Sequence, residues 1–211
     1  MATGWDGGGH FINPMCGSGT LAIEAALMAL NRAPGLTRDN YSFMHINGFN
    51  APLWEQLKET AWAESRKDLR ARIIATDVDP AAVGAAKRNA SNAGVGDMIE
   101  FKACDFADTP VPEGGGVVVL NPEYGQRMGE EKDLTELYGR IGDFFKQRCR
   151  GYSGYVFTGN PSCAKRVGLR AKRRVQFFNS TIECRLLEYE LYEGSKKNRR
   201  SEDNAGSEQN K

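Results

Sequence analysis

Short apolar runs alternate with longer runs of helical periodicity along most of this chain, and that alternation constrains the fold more than any other feature. Strands joined by helices have to lie parallel in one sheet covered on both faces. Residues 10–13, 72–76, 98–103, 116–120 and 153–158 read as strands, and residues 21–30, 54–70, 80–92 and 133–149 as helices. In the first helix Leu21, Ala25 and Met28 share a stripe, with Ile23, Leu27 and Leu30 close by, and Pro34-Gly35 stops it. Pro80 opens the third and Gly94 closes it. The rhythm breaks at the end, where runs 174–178 and 181–192 are separated only by Asn179-Ser180, a hairpin signal. The expected fold is therefore α/β: a doubly wound, mostly parallel, seven-stranded Rossmann-like sheet with a C-terminal antiparallel hairpin, spanning residues 1–193. Residues 194–211 carry no apolar anchor and are expected to form a polar, disordered tail.

A chain of 211 residues suits one domain with a full core, and its 40% hydrophobic and 26% charged residues are ordinary for a globular protein. No run of about 18 uncharged apolar residues occurs, and the Gly-rich N-terminus lacks the basic and apolar regions of a signal peptide. A cytoplasmic protein without a membrane span is expected. Cys16, Cys104, Cys149, Cys163 and Cys184 are scattered, with no Cys-x-x-Cys pair or Cys/His cluster. Neither a disulfide framework nor a metal site is expected from them. The net charge of +1 hides an asymmetry, because residues 146–200 hold fourteen Lys and Arg against four Glu. A C-terminal face of that sign suits a polyanion such as RNA, and also suits a merely solvated surface.

Four segments carry residues that suit chemistry. In FINPMCGSGT (11–20) an apolar strand runs into a Gly-x-Gly turn at the mouth of a helix. Gly17 and Gly19 let a ligand approach the backbone, and the helix start offers free N–H groups to an anion. A third glycine at the dinucleotide spacing is absent, as is the Gly-Lys-Ser/Thr of a phosphate loop. A plain strand–helix turn also fits. In ATDVDP (75–80), Asp77 ends a strand where a carboxylate can accept both hydroxyls of a ribose, whereas Asp79 before Pro80 equally suits a helix cap. In ACDF (103–106), Asp105 can accept from an adenine amine with Phe106 beside the ring, or serve as a turn residue.

The fourth segment, LNPEYG (120–125), places Asn121, Pro122, Glu123 and Tyr124 after a buried strand, at the same sheet edge as the other three. An exocyclic amine conjugated to an aromatic ring is a poor nucleophile because its lone pair is delocalised. Acceptors from the Asn121 side chain and the Pro122 carbonyl would hold its N–H bonds and localise that pair, while Tyr124 stacks on the base.

In this order PMCGSGT, ATDVDP, ACDF and NPEYG resemble the class I S-adenosylmethionine-dependent methyltransferases of the Asn-Pro-Pro-Tyr type. More narrowly, PMCGSGTLAIEAA, NPEYGQRMG and NSTIECRLLEYEL look like the catalytic domain of bacterial THUMP-associated 23S rRNA guanine-N2 methyltransferases, over roughly residues 3–193. The resemblance implies S-adenosylmethionine as cofactor, lying along Pro14, Met15, Cys16, Gly17, Gly19 and Thr20. It implies the ribose on Asp77 beside Asp79, adenine near Asp105 and Phe106, and the target base against Asn121, Pro122 and Tyr124. It also implies an N-terminal THUMP domain in the full-length protein and substrate RNA on the basic face.

This sequence departs from the family at Glu123, where a second proline is usual. Guanine presents donors at N1 and N2, so a carboxylate there would suit guanine over adenine. Other readings stay open: the same chemistry on tRNA guanine, DNA adenine or a protein glutamine, a nicotinamide dehydrogenase sharing the sheet, or a silent RNA-binding module. His10 and His45 have no partner nameable from sequence.

Overall fold

The computed structural model describes residues 2–122 and 131–192; the tail 194–211 lies outside them. Seven strands, β1 (His10–Pro14), β2 (Ile73–Asp77), β3 (Ile99–Ala103), β4 (Gly116–Leu120), β5 (Tyr152–Thr158), β6 (Arg173–Asn179) and β7 (Ile182–Glu190), form one sheet in the order β3-β2-β1-β4-β5-β7-β6. Pairings from β3 to β5 are parallel, and β7 runs antiparallel to both β5 and β6. The helices are α1 (Thr20–Ala29), α2 (Ala51–Ala63), α3 (Pro80–Asn92), α4 (Glu131–Arg148) and the single turn α5 (Pro161–Ala164). The chain order reverses between β1 and β4, which opens a crevice at their carboxyl ends.

Strand alternation divides the core between the two faces. Phe11, Ile73, Ala75, Val117 and Val119 pack under α1 and α3, while Ile12, Ile74, Val118, Leu120 and Val156 pack under α4. Helix α4 shows the stronger periodicity, burying Leu134, Tyr138, Ile141, Phe144 and Phe145. At about 1.5–3 kcal/mol per large apolar side chain, that stripe outweighs any propensity of the helix, which contains Gly139 and Gly142. A buried bond between the Tyr138 and Thr158 hydroxyls, 2.5 Å long, ties α4 to the end of β5.

The first helix departs from its expected stripe. Its buried residues are Ala22, Ala25, Ala26 and Ala29, whereas Leu21 and Met28 are exposed. Small side chains let α1 lie close on the sheet and against α3, so Leu21 is turned toward the crevice. Helix α2 starts before the expected position 54 and ends before 70. Asn50 caps it by accepting from the Leu53 amide at 3.0 Å, Pro52 sits in its first turn, and the Arg66 amide is drawn to the Leu30 carbonyl. The hairpin loop is Ser180-Thr181 rather than Asn179-Ser180, since Asn179 pairs with Ile182 and Ser180 takes a left-handed φ of 55°. That register keeps Cys184 and Leu186 buried on one face, with Leu187 and Tyr189 on the other.

His10 fastens the lower end of β1. Its Nδ1 accepts from the Arg72 amide and its Nε2 donates to the Glu113 carbonyl, both at 3.0 Å, so each ring nitrogen has a partner.

Two glycines in α4 provide a paired test of packing. A Cβ on Gly142 would meet the Val167 carbonyl oxygen, while one on Gly139 meets nothing within 4 Å among the described residues. Gly142→Ala is expected to lower the melting temperature by roughly 5 °C or more, and Gly139→Ala to leave it unchanged or raise it. Thermal unfolding followed by circular dichroism measures both.

Candidate functional site

The segment after β1 turns sharply. Met15 takes a φ of 57°, costly for a residue with a side chain, followed by Gly17 at 54° and Gly19 at 84°. The two glycines meet different needs. A Cβ on Gly19 would lie 2.8 Å from the Ala86 Cβ, so Gly19 lets α1 start against α3. A Cβ on Gly17 would meet nothing within 4 Å among the described residues, leaving its backbone open to the crevice. Helix α1 begins at Gly19 without a side-chain cap or an acidic residue in its first turn, so its leading N–H groups are available to an anion.

The next two strands supply carboxylates. Asp77 Oδ2 accepts from the Gly17 amide at 2.9 Å and Oδ1 from the Asp79 amide at 3.1 Å. Each oxygen keeps a lone pair. Asp79 caps α3, its Oδ1 accepting from the Ala81 amide at 2.8 Å. Asp105 caps a short turn through the Ala107 amide and holds Arg140 of α4, whose Nη2 lies 2.8 Å from both carboxylate oxygens. The Arg140 guanidinium also sits 4.9 Å from the centre of the Phe106 ring. Burial raises the Asp105 carboxyl, but hydrogen bonds from Arg140 and the Ala107 amide outweigh it and hold the group below the usual range. The ion pair is half exposed and adds little stability; its effect is to fix a cation and an aromatic ring at one wall.

On β1, beside β4, lies Asn13, only 1% exposed. Its Nδ2 donates to the Val119 carbonyl at 2.9 Å, while its Oδ1 is buried without a partner among the described residues. Buried acceptors of this kind are rare, because an unmade hydrogen bond forfeits the hydration lost on folding. Asn13 lines a cavity of about 540 Å³ at the sheet edge, a size that suits a nucleoside-sized ligand.

Met15, Cys16, Gly17 and Thr20 from the first loop, Asp77 from the second, and Asp105 and Phe106 from the third all line this cavity. Asn121 and Pro122 join them from the end of β4, Asn121 exposed and Pro122 buried. Three expected residues do not line it: Pro14 ends β1 in register with Thr76, Gly19 faces Ala86, and Asp79 is occupied as a cap. Glu123 and Tyr124 lie outside the described residues. Sequence reasoning missed Asn13, Leu137 and Arg140. A polar side chain inside the apolar run Phe11-Ile12-Asn13 was a usable signal for the first, whereas the Arg140–Asp105 contact spans 35 residues and left none.

Cys16 sits under the first loop, 8% exposed. Burial, helped by the neighbouring Asp77 carboxylate, pushes its thiol up to about 11. It is therefore a neutral packing group, not a nucleophile.

The family description "RMKL-like, methyltransferase domain" matches residues 1–188. A protein of Synechocystis sp. (strain ATCC 27184 / PCC 6803 / Kazusa), provisionally named as the RNA methyltransferase slr0064, is 41% identical over 189 residues, covering 90% of this chain and 49% of that protein. The ribosomal RNA large subunit methyltransferase K/L of Syntrophotalea carbinolica is 40% identical over 192 residues, covering 88% and 27%. The chain thus spans about half or less of the length of these relatives. Among solved structures, SMU.472, described as a methyltransferase and complexed with SAH, superposes with a TM-score of 0.83 at 26% identity, covering 91% of this chain and 50% of that one. A protein from Listeria monocytogenes str. 4b F2365, described as a predicted N6-adenine-specific DNA methylase, gives 0.76 at 33% identity, covering 85% and 47%.

The raised Cys16 thiol yields a simple expectation. Iodoacetamide at pH 8 should leave Cys16 unmodified while the less buried Cys104 reacts. Peptide mass spectrometry reads the outcome, and fast alkylation of Cys16 would mean the first loop is open.

Proposed function

The chain belongs to the RMKL-like methyltransferase domain family, and from that membership and the cavity we propose that it transfers a methyl group from S-adenosylmethionine to the exocyclic N2 amine of a guanine in large-subunit ribosomal RNA. The observation that carries this reading is the meeting of the Gly17 backbone, the Asp77 carboxylate and Asn121-Pro122 around one cavity, beside an Asn13 oxygen that has no partner among the described residues. The names of the K/L relatives supply the substrate class.

The residues present fit the cofactor. The buried Asn13 Oδ1 needs a donor and would accept from the ammonium of the methionine moiety. The first N–H groups of α1 would receive its carboxylate, and Gly17 leaves the space for it. Asp77 would hold the ribose through its remaining lone pairs, while Phe106 and Asp105, steadied by Arg140, would border the adenine. When bound, S-adenosylmethionine supplies a methyl carbon already activated by its sulfonium. The protein's task is then alignment, which can supply on the order of 7–11 kcal/mol of a barrier.

Asn121 and the Pro122 carbonyl would accept the amine's N–H bonds, restoring lone-pair density at nitrogen and pointing it into the cavity. Tyr124 would stack on the base, and Glu123 would accept from guanine N1–H, a donor that adenine lacks. The target base would enter splayed out of its helix, since a stacked amine cannot reach the crevice. The basic residues of the C-terminal third would attract the RNA, with a THUMP domain of the full-length protein adding grip. A second reading, the same transfer to an adenine amine, draws support from the description of the Listeria protein.

Asn121→Ala should reduce turnover at least 1,000-fold with S-adenosylmethionine affinity within about threefold of wild type, a transition-state loss without a binding loss. Glu123→Pro should lower guanine methylation by tenfold or more. Radiolabelled methyl transfer to rRNA, tRNA, DNA and a glutamine peptide, with nucleoside mass spectrometry of the product, tests the whole reading. Methylated adenine would select the second reading, and cofactor binding without any turnover would leave only an RNA-binding role.

A further inference from the structure

Among the described residues, the outer part of the antiparallel edge of the sheet is left open on one face. In the β6–β7 ribbon Arg174 pairs with Leu187, Gln176 with Arg185 and Phe178 with Glu183, so these residues share a face. Leu187 belongs to the core cluster beneath α4, which places that face on the α4 side. Among the described residues, the segment around α5 and the end of α4 border it. Strand β6 is exposed along nearly its whole length, and Phe178 is 70% exposed. Its neighbour Phe177 points the opposite way and packs edge-on against Phe157 at 5.9 Å.

Two concavities, of about 440 and 580 Å³, lie along this face and share Leu169, Ala171 and Tyr189, so they form one groove. Lys165, Arg174 and Arg185 line the half nearer the cavity, and Lys146, Arg150, Arg170 and Lys172 the far half. The acidic residues along it are Glu183 and Glu190. Glu183 pairs with Arg185 at 2.9 Å and Glu190 with Lys172 at 3.7 Å, half-exposed pairs that a polyanion can displace at little cost.

The groove is aligned with the methylation cavity. Thr158, the last residue of β5, pairs with Arg185, so the ribbon from Ile182 to Cys184 stands about 10 Å beyond the sheet edge. Leu120, which leads into Asn121, pairs with Val156 on β5, and Thr158 and Pro161 line the groove's upper end. A basic channel with an exposed aromatic ring on the same face, opposite its lining residue Glu183, has the form of a stacking platform beside an electrostatic track.

We propose that this groove receives single-stranded RNA flanking the target nucleotide, with Phe178 stacking on a base and Lys165, Arg174 and Arg185 contacting the phosphates. The inference rests on the RNA reading above and adds the route by which the strand leaves the cavity. Phosphate contacts fix position without reading sequence, so target choice stays with the cavity.

The test is fluorescence anisotropy with a fluorescein-labelled single-stranded RNA oligonucleotide at several salt concentrations, alongside calorimetric titration with S-adenosylmethionine. Arg174→Ala with Arg185→Ala should weaken RNA binding tenfold or more and reduce the slope of log affinity against log salt by roughly 1.4, at ~0.7 per single-strand phosphate contact. Phe178→Ala should weaken it about 5- to 100-fold with the slope unchanged. S-adenosylmethionine affinity should hold in every variant, and the charge-matched control Lys67→Ala with Arg70→Ala should bind RNA as wild type does. Ultraviolet cross-linking of the unmodified protein should place RNA on peptide 175–185, a readout that needs no substitution. If wild type binds and methylates RNA while the ribbon variants match it, or the control loses as much, the groove is refuted and the function stands. If wild type neither binds nor methylates RNA, both fall together.

Discussion

A hydrogen bond from the Gly17 amide to Asp77 Oδ2, beside a backbone bond from the Cys16 amide to the Thr76 carbonyl, ties the first loop to the end of β2, 60 residues away in the chain. It is charge-assisted, and so among the stronger kinds of polar contact. The same carboxylate accepts the Asp79 amide, so it also sets where α3 begins. On the other side of β1, Asn13 reaches across to the Val119 carbonyl just ahead of Asn121. The cavity walls therefore depend on side chains that brace the frame and face the cavity at once. Loss of either would loosen the frame as well as the contact.

The two faces of the sheet solve different packing problems. Over the first, alanines on α1 and α3 bring helix backbones close, which narrows the crevice and leaves Leu21 at its rim. Over the second, α4 packs large side chains and carries Arg140 on its solvent flank to Asp105. A helix chosen for bulk thus also delivers a cation to the far wall of the cavity. Strain is concentrated where it is useful: Met15 adopts a left-handed backbone at the point where the chain must turn from strand to open loop.

Much of this was legible in the amino-acid order. Strand and helix alternation predicts the parallel sheet, and Pro80 with Gly94 marks α3 closely because both residues act through the backbone alone. What stayed hidden depends on partners distant in sequence. The stripe of Leu21 and Met28 looks like a buried face until α1 is seen to lay Ala22, Ala25, Ala26 and Ala29 on the sheet. Residues 64–70 have helical composition, yet the bond from the Arg66 amide to the Leu30 carbonyl draws the chain away. His10 gains its meaning only when Arg72 and Glu113 arrive on either side. At the site, glycine and aspartate motifs reported themselves through local geometry, while Arg140 did not.

The contact between Gly19 and Ala86 has a consequence for how such sequences diverge. With no clearance for a methyl group on the glycine and a methyl already present on the alanine, neither position can enlarge alone. Drift there must be concerted: a bulkier residue at 86 would push the start of α1 outward and carry the open backbone at Gly17 with it. Across related chains the pair should therefore be inherited as a unit, so that variation in the outer helix is held in check by the mouth of a pocket it never touches.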